Sequence, residues 1–236
     1  MRAALASCLF RNGDVAHNLE RAARFIRRAA EGGAELVVFG ESFLQGFDAL
    51  SWNWERDRWI GLPRDSAPLA ELGRLSAHTG ADVLMSYIER DGESLYSSAA
   101  LFSGGRILRN YRRVSPGWRV VSRTDRHYRE GADTGAFLYR GRLCRVALCG
   151  DLWVCPERFA PCDLLLWPVY VDFTAEEWPR ELPSYALQAY GAAPRALMVN
   201  SLSRDPDSLG GAYLFSEGRI AARLPLGEEG LLFAEI

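Results

Sequence analysis

Three side chains with complementary chemistry come at the ends of segments that read as buried strands. They are Glu41, Arg113 and Cys149. A thiol is a weak nucleophile until it loses its proton, a glutamate can accept that proton, and an arginine carries a permanent positive charge. The set therefore suits attack by a cysteine on the carbon of an amide or a nitrile.

That attack would place negative charge on the former carbonyl oxygen or on the nitrile nitrogen. A nearby cation and a backbone N–H can stabilise such charge. Gly150 directly follows Cys149 and leaves its amide sterically open. We therefore predict that the Gly150 amide and the Arg113 side chain act as the two donors.

Each of the three side chains also has an ordinary structural alternative. A glutamate after a strand often caps a helix or lies in a solvated loop, and a cysteine after an apolar strand is often a small core residue. Arg113 is one of 28 basic residues, all of them arginine, and most arginines lie at the surface. The functional interpretation depends on the three residues acting as one set.

The surrounding sequence predicts elements that would bring these strand ends together. Apolar runs between glycine-containing turns predict strands at residues 2–9, 36–39, 82–88, 95–102, 107–111, 136–139, 144–148, 164–167 and 196–201, and two or three more within 211–235. Helical spacing predicts helices at 15–30, 69–78 and 175–190, and residues 42–64 and 115–133 read as loops. This order favours a single α/β domain, residues 1–236, with mixed sheets covered by helices. Ligands of layered α/β proteins lie beyond the carboxyl ends of such strands.

The composition sets limits on function. With 48% hydrophobic residues, 25% charged residues and a net charge of −2 over 236 residues, the chain is an ordinary globular protein without an electrostatic case for nucleic acid. Its five cysteines form no CxxC pair and its three histidines are scattered. We therefore expect neither a disulfide scaffold nor a metal site, and no cofactor.

No apolar run approaches the roughly 18 residues that a membrane helix needs. Residues 1–8 superficially resemble a lipoprotein signal that ends in a cysteine, but their apolar stretch is too short for one. We interpret it as the first strand, and expect a cytoplasmic protein that does not bind membranes.

Several sequence blocks follow one another in a distinctive order. Residues 34–41 read AELVVFGE and 44–47 read LQGF; residues 96–99 read YSSA and 105–113 read GRILRNYRR; residues 149–157 read CGDLWVCPE. In this order the blocks resemble those of the nitrilase superfamily, the carbon–nitrogen hydrolases, over essentially the whole chain. Gly40 stands where the family's VVFPE block has a proline.

The resemblance implies a four-layer α-β-β-α sandwich, usually dimerised through its helical faces, and a Glu-Lys-Cys triad that forms an acyl-enzyme thioester. Carried over by position, Glu41 is the general base, Cys149 the nucleophile and Arg113 the cation, while Asp151 and Glu157 support the nucleophile turn. It also implies a small-molecule substrate, and we expect a homodimer or a higher homo-oligomer.

The sequence departs from the family pattern at two places. Arg113 replaces the triad lysine, and an arginine keeps the charge and offers a wider hydrogen-bonding fork but is a poorer proton donor. On these grounds alone, Arg113→Lys is expected to retain or raise activity. Many members also have a glutamate at the position of Thr124; here Asp125 and Glu130 lie nearby in the sequence and are the candidate substitutes.

Aromatic residues are frequent in the loops that would surround the site. The loops that would line the pocket carry Trp52, Trp54, Trp118, Trp153, Tyr170 and Phe173. Of these we predict Trp118, Trp153, Tyr170 and Phe173 as pocket residues. Packing in the core or at a dimer interface is the alternative for each of them. As a group they would suit a bulky or aromatic substrate.

These observations favour an amidase-type hydrolase that cleaves a small-molecule amide. The Gly150-Asp151 pair favours an amidase over a true nitrilase, because the tryptophan and glutamate that usually follow a nitrilase nucleophile are missing. Two alternatives remain open: a non-catalytic or repurposed member that binds a small molecule or a partner, and an acyltransferase that passes the thioester to an amine.

Overall fold

The apolar runs form strands in two separate sheets, and the amphipathic segments form helices that cover them. The computed structural model describes residues 1–204 and 207–236. The strands are β1 (Arg2–Ser7), β2 (Leu36–Phe39), β3 (Asp82–Asp91), β4 (Ser94–Ser103), β5 (Arg106–Arg112), β6 (Phe137–Tyr139), β7 (Arg142–Val146), β8 (Leu164–Val169), β9 (Arg195–Asn200), β10 (Leu202–Arg204), β11 (Asp207–Leu209), β12 (Ala212–Ser216), β13 (Arg219–Leu224) and β14 (Gly230–Glu235). The helices are α1 (Val15–Glu31), α2 (Trp54–Asp57), α3 (Ala67–Thr79), α4 (Asp151–Val154) and α5 (Trp178–Ala192).

The two large sheets repeat one arrangement. The first has the strand order β14-β1-β2-β3-β4-β5 and the second β13-β12-β9-β8-β7-β6. In the first sheet β1, β2 and β3 are parallel, and in the second β7, β8 and β9 are parallel. The carboxyl ends of each parallel set therefore meet at one edge of its sheet, where ligands of such folds bind.

Alternation along the strands divides the core into layers. In β1, Ala3 and Leu5 face the second sheet, whereas Ala4 and Ala6 face the helices α1 and α3. The apolar face of α5 packs on the other side of the second sheet. The layers are thus helix, sheet, sheet and helix, which confirms the predicted four-layer α-β-β-α sandwich.

Helix α1 begins and ends where the sequence predicts. Asp14 caps its amino terminus by accepting a hydrogen bond from the His17 amide at 3.0 Å. Buried residues Ala22 and Ile26 lie one turn apart on the face toward the sheet. The chain leaves the helix through Gly33, whose φ of +77° is readily available only to glycine.

The predicted helices and long strands are present with shifts of a few residues at their ends. The antiparallel pair β10–β11 and the short helices α2 and α4 were not predicted, because elements of three or four residues carry no periodic signal. Helix α2 lies within residues 42–64, where the sequence predicted a loop throughout. All five cysteines are unpaired. Among the described residues, no helix combines the length and the apolar character needed to cross a membrane.

Candidate active site

The active-site candidates meet where the two sheets face each other. Glu41 follows β2 of the first sheet, and its backbone is tied to the second sheet at two points. The Glu41 amide donates to the Val169 carbonyl at 3.1 Å, and the Ser201 hydroxyl donates to the Glu41 carbonyl at 2.8 Å. Glu41 is therefore held by strand ends from both sheets.

Gly40 allows this close approach. A Cβ atom at this position would lie 2.2 Å from the Ser201 Oγ and 2.6 Å from the Ser201 amide nitrogen. Neither proline nor any other residue with a side chain fits there without moving the end of β9. The departure from the family's proline thus has a local steric reason.

Glu41 and Arg113 form a buried ion pair. The Arg113 Nη1 donates to Glu41 Oε1 at 2.9 Å, and the Ser97 hydroxyl donates to the same oxygen at 2.9 Å. Glu41 is 0% exposed and Arg113 3% exposed. The second carboxylate oxygen, Oε2, is buried and has no hydrogen-bond partner among the described residues, so it remains available to accept a proton.

The Arg113 guanidinium stays charged in this position. Its burial by itself would lower the pKa, but the negative charge of Glu41, with a contribution from Asp151, holds the pKa of Arg113 above its ordinary value. Its Nε donates to the Ser115 hydroxyl at 2.8 Å. Within residues 1–204 and 207–236, Nη2 has no hydrogen-bond partner.

Cys149 lies on a strained turn after β7. Its φ of +41° is in the left-handed region, which non-glycine residues seldom adopt. Hydrogen bonds fix the turn: the Cys149 amide donates to the Pro168 carbonyl at 3.0 Å, and the Trp167 indole N–H donates to the Cys149 carbonyl at 3.0 Å. This conformation presents the half-buried thiol beside the ends of the neighbouring strands.

The surroundings of Cys149 favour the protonated thiol over the thiolate. Burial, with a smaller contribution from the nearby Glu41 carboxylate, raises the pKa of Cys149 to about 12, although the Arg113 charge opposes the shift. The Cys149 Sγ donates to the Tyr170 carbonyl at 3.4 Å. Activation of the nucleophile therefore needs a base that removes its proton.

Asp151 connects the nucleophile turn to the segment that carries Arg113. This fully buried carboxylate accepts from the Leu148 amide at 2.8 Å and from the Tyr111 hydroxyl. Its other oxygen accepts from the amides of Val114 and Ser115 at 3.1 and 2.8 Å. The carboxylate thereby fixes the position of Arg113 relative to Cys149.

The Gly150 amide points to a role in stabilising negative charge. Gly150 precedes α4 and its own N–H has no hydrogen-bond partner in the part of the chain that the structure describes. An unpaired N–H next to the nucleophile, together with the free Arg113 Nη2, supplies two donors for an oxyanion.

The structure does not bring the other predicted carboxylates to these residues. Glu157 is exposed in the 3₁₀ helix Pro156–Phe159. Asp125 is exposed and pairs with His127 at 2.9 Å. Glu130 pairs with Arg119 at 2.6 Å. Among the described residues, none of the three hydrogen-bonds to Glu41, Arg113 or Cys149.

The predicted aromatic residues occupy different environments. The Tyr170 carbonyl touches the nucleophile, and its ring stacks on Phe47 at 4.4 Å. Phe173 is half-buried and packs edge-on against Trp178, whereas Trp153 is 45% exposed. Trp118 is buried in a separate small core with Tyr128.

Sequence reasoning did not single out Tyr185 of α5, Ser97 or Ser115. Tyr185 packs against Trp167 at a centroid distance of 5.3 Å, and Cys149 is close enough to raise the pKa of its hydroxyl, after the larger effect of burial. The hydroxyls of Ser97 and Ser115 contact Glu41 and Arg113. Serine is too common for either to be recognised from the sequence alone.

No metal site accompanies this arrangement in the described residues. They contain no group of three or more His, Cys, Asp or Glu side chains that could hold a metal ion. The chemistry available at the site is that of a thiol, a carboxylate, a guanidinium and a backbone amide.

A cysteine on a strained turn, beside a buried carboxylate and a cation, is an arrangement that thiol-dependent enzymes use. The sequence comparison identifies its family: the chain belongs to the carbon-nitrogen hydrolases, whose family model matches residues 2–236. These enzymes of the nitrilase superfamily act on carbon–nitrogen bonds.

The relatives of this chain include nitrilases and a glutamine-dependent synthetase. The arylacetonitrilase of Aspergillus niger is 30% identical over 266 residues, covering 94% of this chain and 76% of that protein. The glutamine-dependent NAD(+) synthetase of Thermotoga maritima is 30% identical over 145 residues, covering 60% of this chain. The chain spans only 24% of the synthetase and 57% of the arylacetone-specific nitrilase of Alcaligenes faecalis.

The fold matches solved structures of the superfamily. An amidase from Nesterenkonia sp. has a TM-score of 0.82 at 22% identity, covering 100% of this chain and 90% of the amidase. A glutamate-to-glutamine variant of that amidase, with acrylamide added at its active-site cysteine, has a TM-score of 0.78 at 21% identity, covering 100% of this chain and 93% of the other.

Proposed function

We propose that this protein is an amidase-type hydrolase that cleaves a small-molecule amide through a thioester on Cys149. One observation carries the proposal. The buried Glu41–Arg113 pair leaves one acceptor oxygen and one donor nitrogen unused beside the strained nucleophile turn. An acceptor for the thiol proton and a donor for an oxyanion are what such a reaction requires.

In the acylation step, Glu41 accepts the thiol proton as Cys149 Sγ forms a bond to the amide carbon. The carbonyl oxygen takes up the electron pair of the C=O π bond, and Gly150 N–H and Arg113 Nη2 donate to it. The C–N bond then breaks, and the proton held by Glu41 goes to the departing nitrogen. The products of this step are a thioester and an amine or ammonia.

In the deacylation step, water replaces the amine. Glu41 takes a proton from the water while the water oxygen bonds to the thioester carbon. The same two donors, Gly150 N–H and Arg113 Nη2, stabilise the second oxyanion. The C–S bond breaks, the thiol regains its proton from Glu41, and a carboxylic acid leaves. Arg113 stays charged throughout, so its role is electrostatic.

The names of the relatives include nitrilases as well as an amidase, and the substrate range must be tested across both. A panel of aliphatic and aromatic amides, carbamoyl compounds and nitriles is incubated with the protein, and ammonia release and intact mass are measured. We expect ammonia from amides and a mass adduct on the chain that hydroxylamine removes as a hydroxamate. Saturation by aromatic amides would support an aromatic pocket.

If no compound of the panel gave ammonia or a mass adduct, and Cys149 were also unreactive toward a thiol alkylator, the result would contradict the proposal and favour a binding protein. Transfer of the acyl group to a competing amine in preference to water would identify an acyltransferase. The Cys149→Ala variant is the matched control for both hydrolysis and acyl transfer.

Arg113→Ala is expected to lower kcat by about 10²–10³-fold, the range for removing one oxyanion donor. The substitution also removes the counter-charge of Glu41, so thermal stability is measured beside turnover. An alanine variant that folds and turns over like the wild type would show that the cation takes no part.

We also propose that the protein forms a homodimer through its outer layer of α4 and α5. Four apolar side chains are exposed there: Trp153 (45%), Val154 (61%), Leu187 (64%) and Tyr190 (54%). A hydrogen bond from Gln188 to the Leu152 carbonyl joins the two helices. An exposed apolar face of this kind typically marks an interface.

Light scattering is expected to give twice the chain mass of 26.3 kDa, and Leu187→Arg combined with Tyr190→Arg is expected to give the single-chain mass. Leu138→Arg is the control, because Leu138 is 74% exposed on β6, outside α4 and α5. A wild-type protein with the mass of one chain at micromolar concentration would refute the dimer.

A further inference from the structure

Two glycines beside Arg113 have no backbone reason to be glycine. Gly117, in the 3₁₀ helix Pro116–Trp118, and Gly150, before α4, both lie outside the positive-φ region. An L-residue such as alanine can adopt either backbone conformation. The reason for glycine must therefore lie in the surroundings.

The Arg113 guanidinium occupies the space that a side chain would need. A Cβ at position 117 would lie 2.9 Å from Arg113 Nη2, with no other atom within 4 Å apart from its chain neighbours. A Cβ at position 150 would lie 2.8 Å from the same nitrogen. Both distances are shorter than a real Cβ contact, so both glycines leave room for one nitrogen of Arg113.

Ser115 holds the same guanidinium from another side. Its hydroxyl accepts from Arg113 Nε at 2.8 Å, and its own amide is fixed by Asp151 at 2.8 Å. Each guanidinium nitrogen thus has its own environment. Nε is held by Ser115, Nη1 by Glu41, and Nη2 lies between Gly117 and Gly150.

We propose that Ser115, Gly117 and Gly150 form a guanidinium cradle that makes arginine, and not lysine, the cation this site requires. The cradle turns Arg113 so that Nη1 pairs with Glu41 while Nη2 is presented beside the Gly150 amide. Ser115 and Gly117 are positioning residues that act through Arg113. The catalytic consequence rests on the proposed hydrolase function.

The cradle reverses the expectation from sequence that Arg113→Lys would retain or raise activity. An ammonium is a single point charge, whereas the guanidinium divides its donors among separate partners in a fixed plane. A lysine that pairs with Glu41 leaves the Ser115 hydroxyl without its donor and the space between the two glycines unfilled. We expect Arg113→Lys to lower kcat by about 10–100-fold with KM changed much less.

A double-mutant cycle tests the cradle directly. Gly117→Ala is made in the wild type and in Arg113→Lys. In the arginine background the new methyl group must displace Nη2, and we expect kcat to fall about tenfold. In the lysine background nothing occupies that space, and we expect no further loss. Ser115→Ala is tested in the same two backgrounds as an independent second variant.

Gly191→Ala is the control for adding a methyl group at glycine. Gly191 lies in α5, has no positive φ, and has no atom within 4 Å of the Cβ position. Activity and thermal stability of this variant should equal or exceed those of the wild type. Thermal unfolding of every variant shows whether a loss of kcat comes from a loss of folded protein.

A second readout separates failure of the cradle from failure of the hydrolase proposal. The rate at which methyl methanethiosulfonate modifies Cys149 at pH 9 is followed by intact mass, and this needs no substrate. Because Arg113 lowers the pKa of the thiol, displacing the guanidinium should slow the reaction in the arginine background alone. Suppose that Gly117→Ala slows the modification of Cys149 in the arginine background but not in the lysine background, while no compound of the panel is turned over. That result would support the cradle and refute the hydrolase.

Two results would overturn the cradle. One is wild-type kcat for Arg113→Lys. The other is an equal effect of Gly117→Ala in the arginine and lysine backgrounds, in both turnover and alkylation. If turnover is present while both couplings are absent, the hydrolase proposal stands and the cradle does not.

Discussion

Cys149→Ala is expected to lower amide hydrolysis by about 10⁴–10⁶-fold. The thioester cannot form without the thiol, and removing the nucleophile of a covalent mechanism has effects of this size. Ammonia release and the acyl adduct in the intact mass should vanish together. The fold should survive, because alanine meets no greater barrier at the φ of +41° than cysteine does.

Cys155→Ala is the matched control for that variant. Cys155 is the next cysteine along the chain, is half-buried, and donates to the Asp151 carbonyl at 3.5 Å. Its replacement should leave turnover and the adduct in place. Hydrolysis that persists in Cys149→Ala but disappears in Cys155→Ala would move the nucleophile to the second cysteine.

The positions of the reactive residues could be predicted because they depend on local signals. The run 36–39 is apolar at every position and ends at Gly40, so β2 and the place of Glu41 follow from the sequence. The same holds for Cys149, which follows the apolar end of the β7 segment. Order along the chain, together with the rule that strand ends gather ligands, was sufficient to name the set.

The partners of these residues could not be predicted, because they come from distant parts of the chain. Arg113 and Glu41 are 72 positions apart, so the sequence identifies both residues but not the hydrogen bond between them. The cradle was hidden for the same reason. At Gly117 and Gly150 the backbone does not require glycine. The reason for glycine is that Arg113 Nη2 occupies the space of a side chain, and this can be seen only in the structure.

Sequence proximity was a poor guide to the supporting carboxylates. Asp125 and Glu130 lie close in sequence to the position of the family's extra glutamate, yet each has a local partner, His127 for Asp125 and Arg119 for Glu130. Asp151 instead reaches across to the amides after β5. The difference is that Asp151 is fully buried and must satisfy its oxygens with buried donors.

Glu41→Gln is expected to lower kcat by about 10²–10⁴-fold, the contribution of a positioned general base. Glutamine keeps the shape and can still accept a hydrogen bond from Arg113, but it cannot take the proton of the thiol or of water. The charge lost here also leaves Arg113 buried without its counter-ion. Some loss of folding stability is therefore expected, and its effect must be separated from the fall in kcat that comes from losing the base.

Glu89→Gln provides that separation. Glu89 is also 0% exposed and is paired with two arginines, Arg64 at 2.8 Å and Arg112 at 2.7 Å. It makes none of its hydrogen bonds to Arg113 or Cys149. The same substitution there should reduce the unfolding temperature and leave kcat of the folded protein near the wild-type value.

The alkylation rate gives Glu41→Gln a signature that a purely structural role would not produce. The negative charge of Glu41 raises the pKa of Cys149, whereas Arg113 lowers it. Removing that charge should lower the pKa of the thiol and increase the thiolate fraction at any pH below it. Modification by methyl methanethiosulfonate at pH 9 should therefore become faster in the variant that hydrolyses amides more slowly. If both rates fell together, Glu41 would be holding the site in shape, and the base would have to be another group.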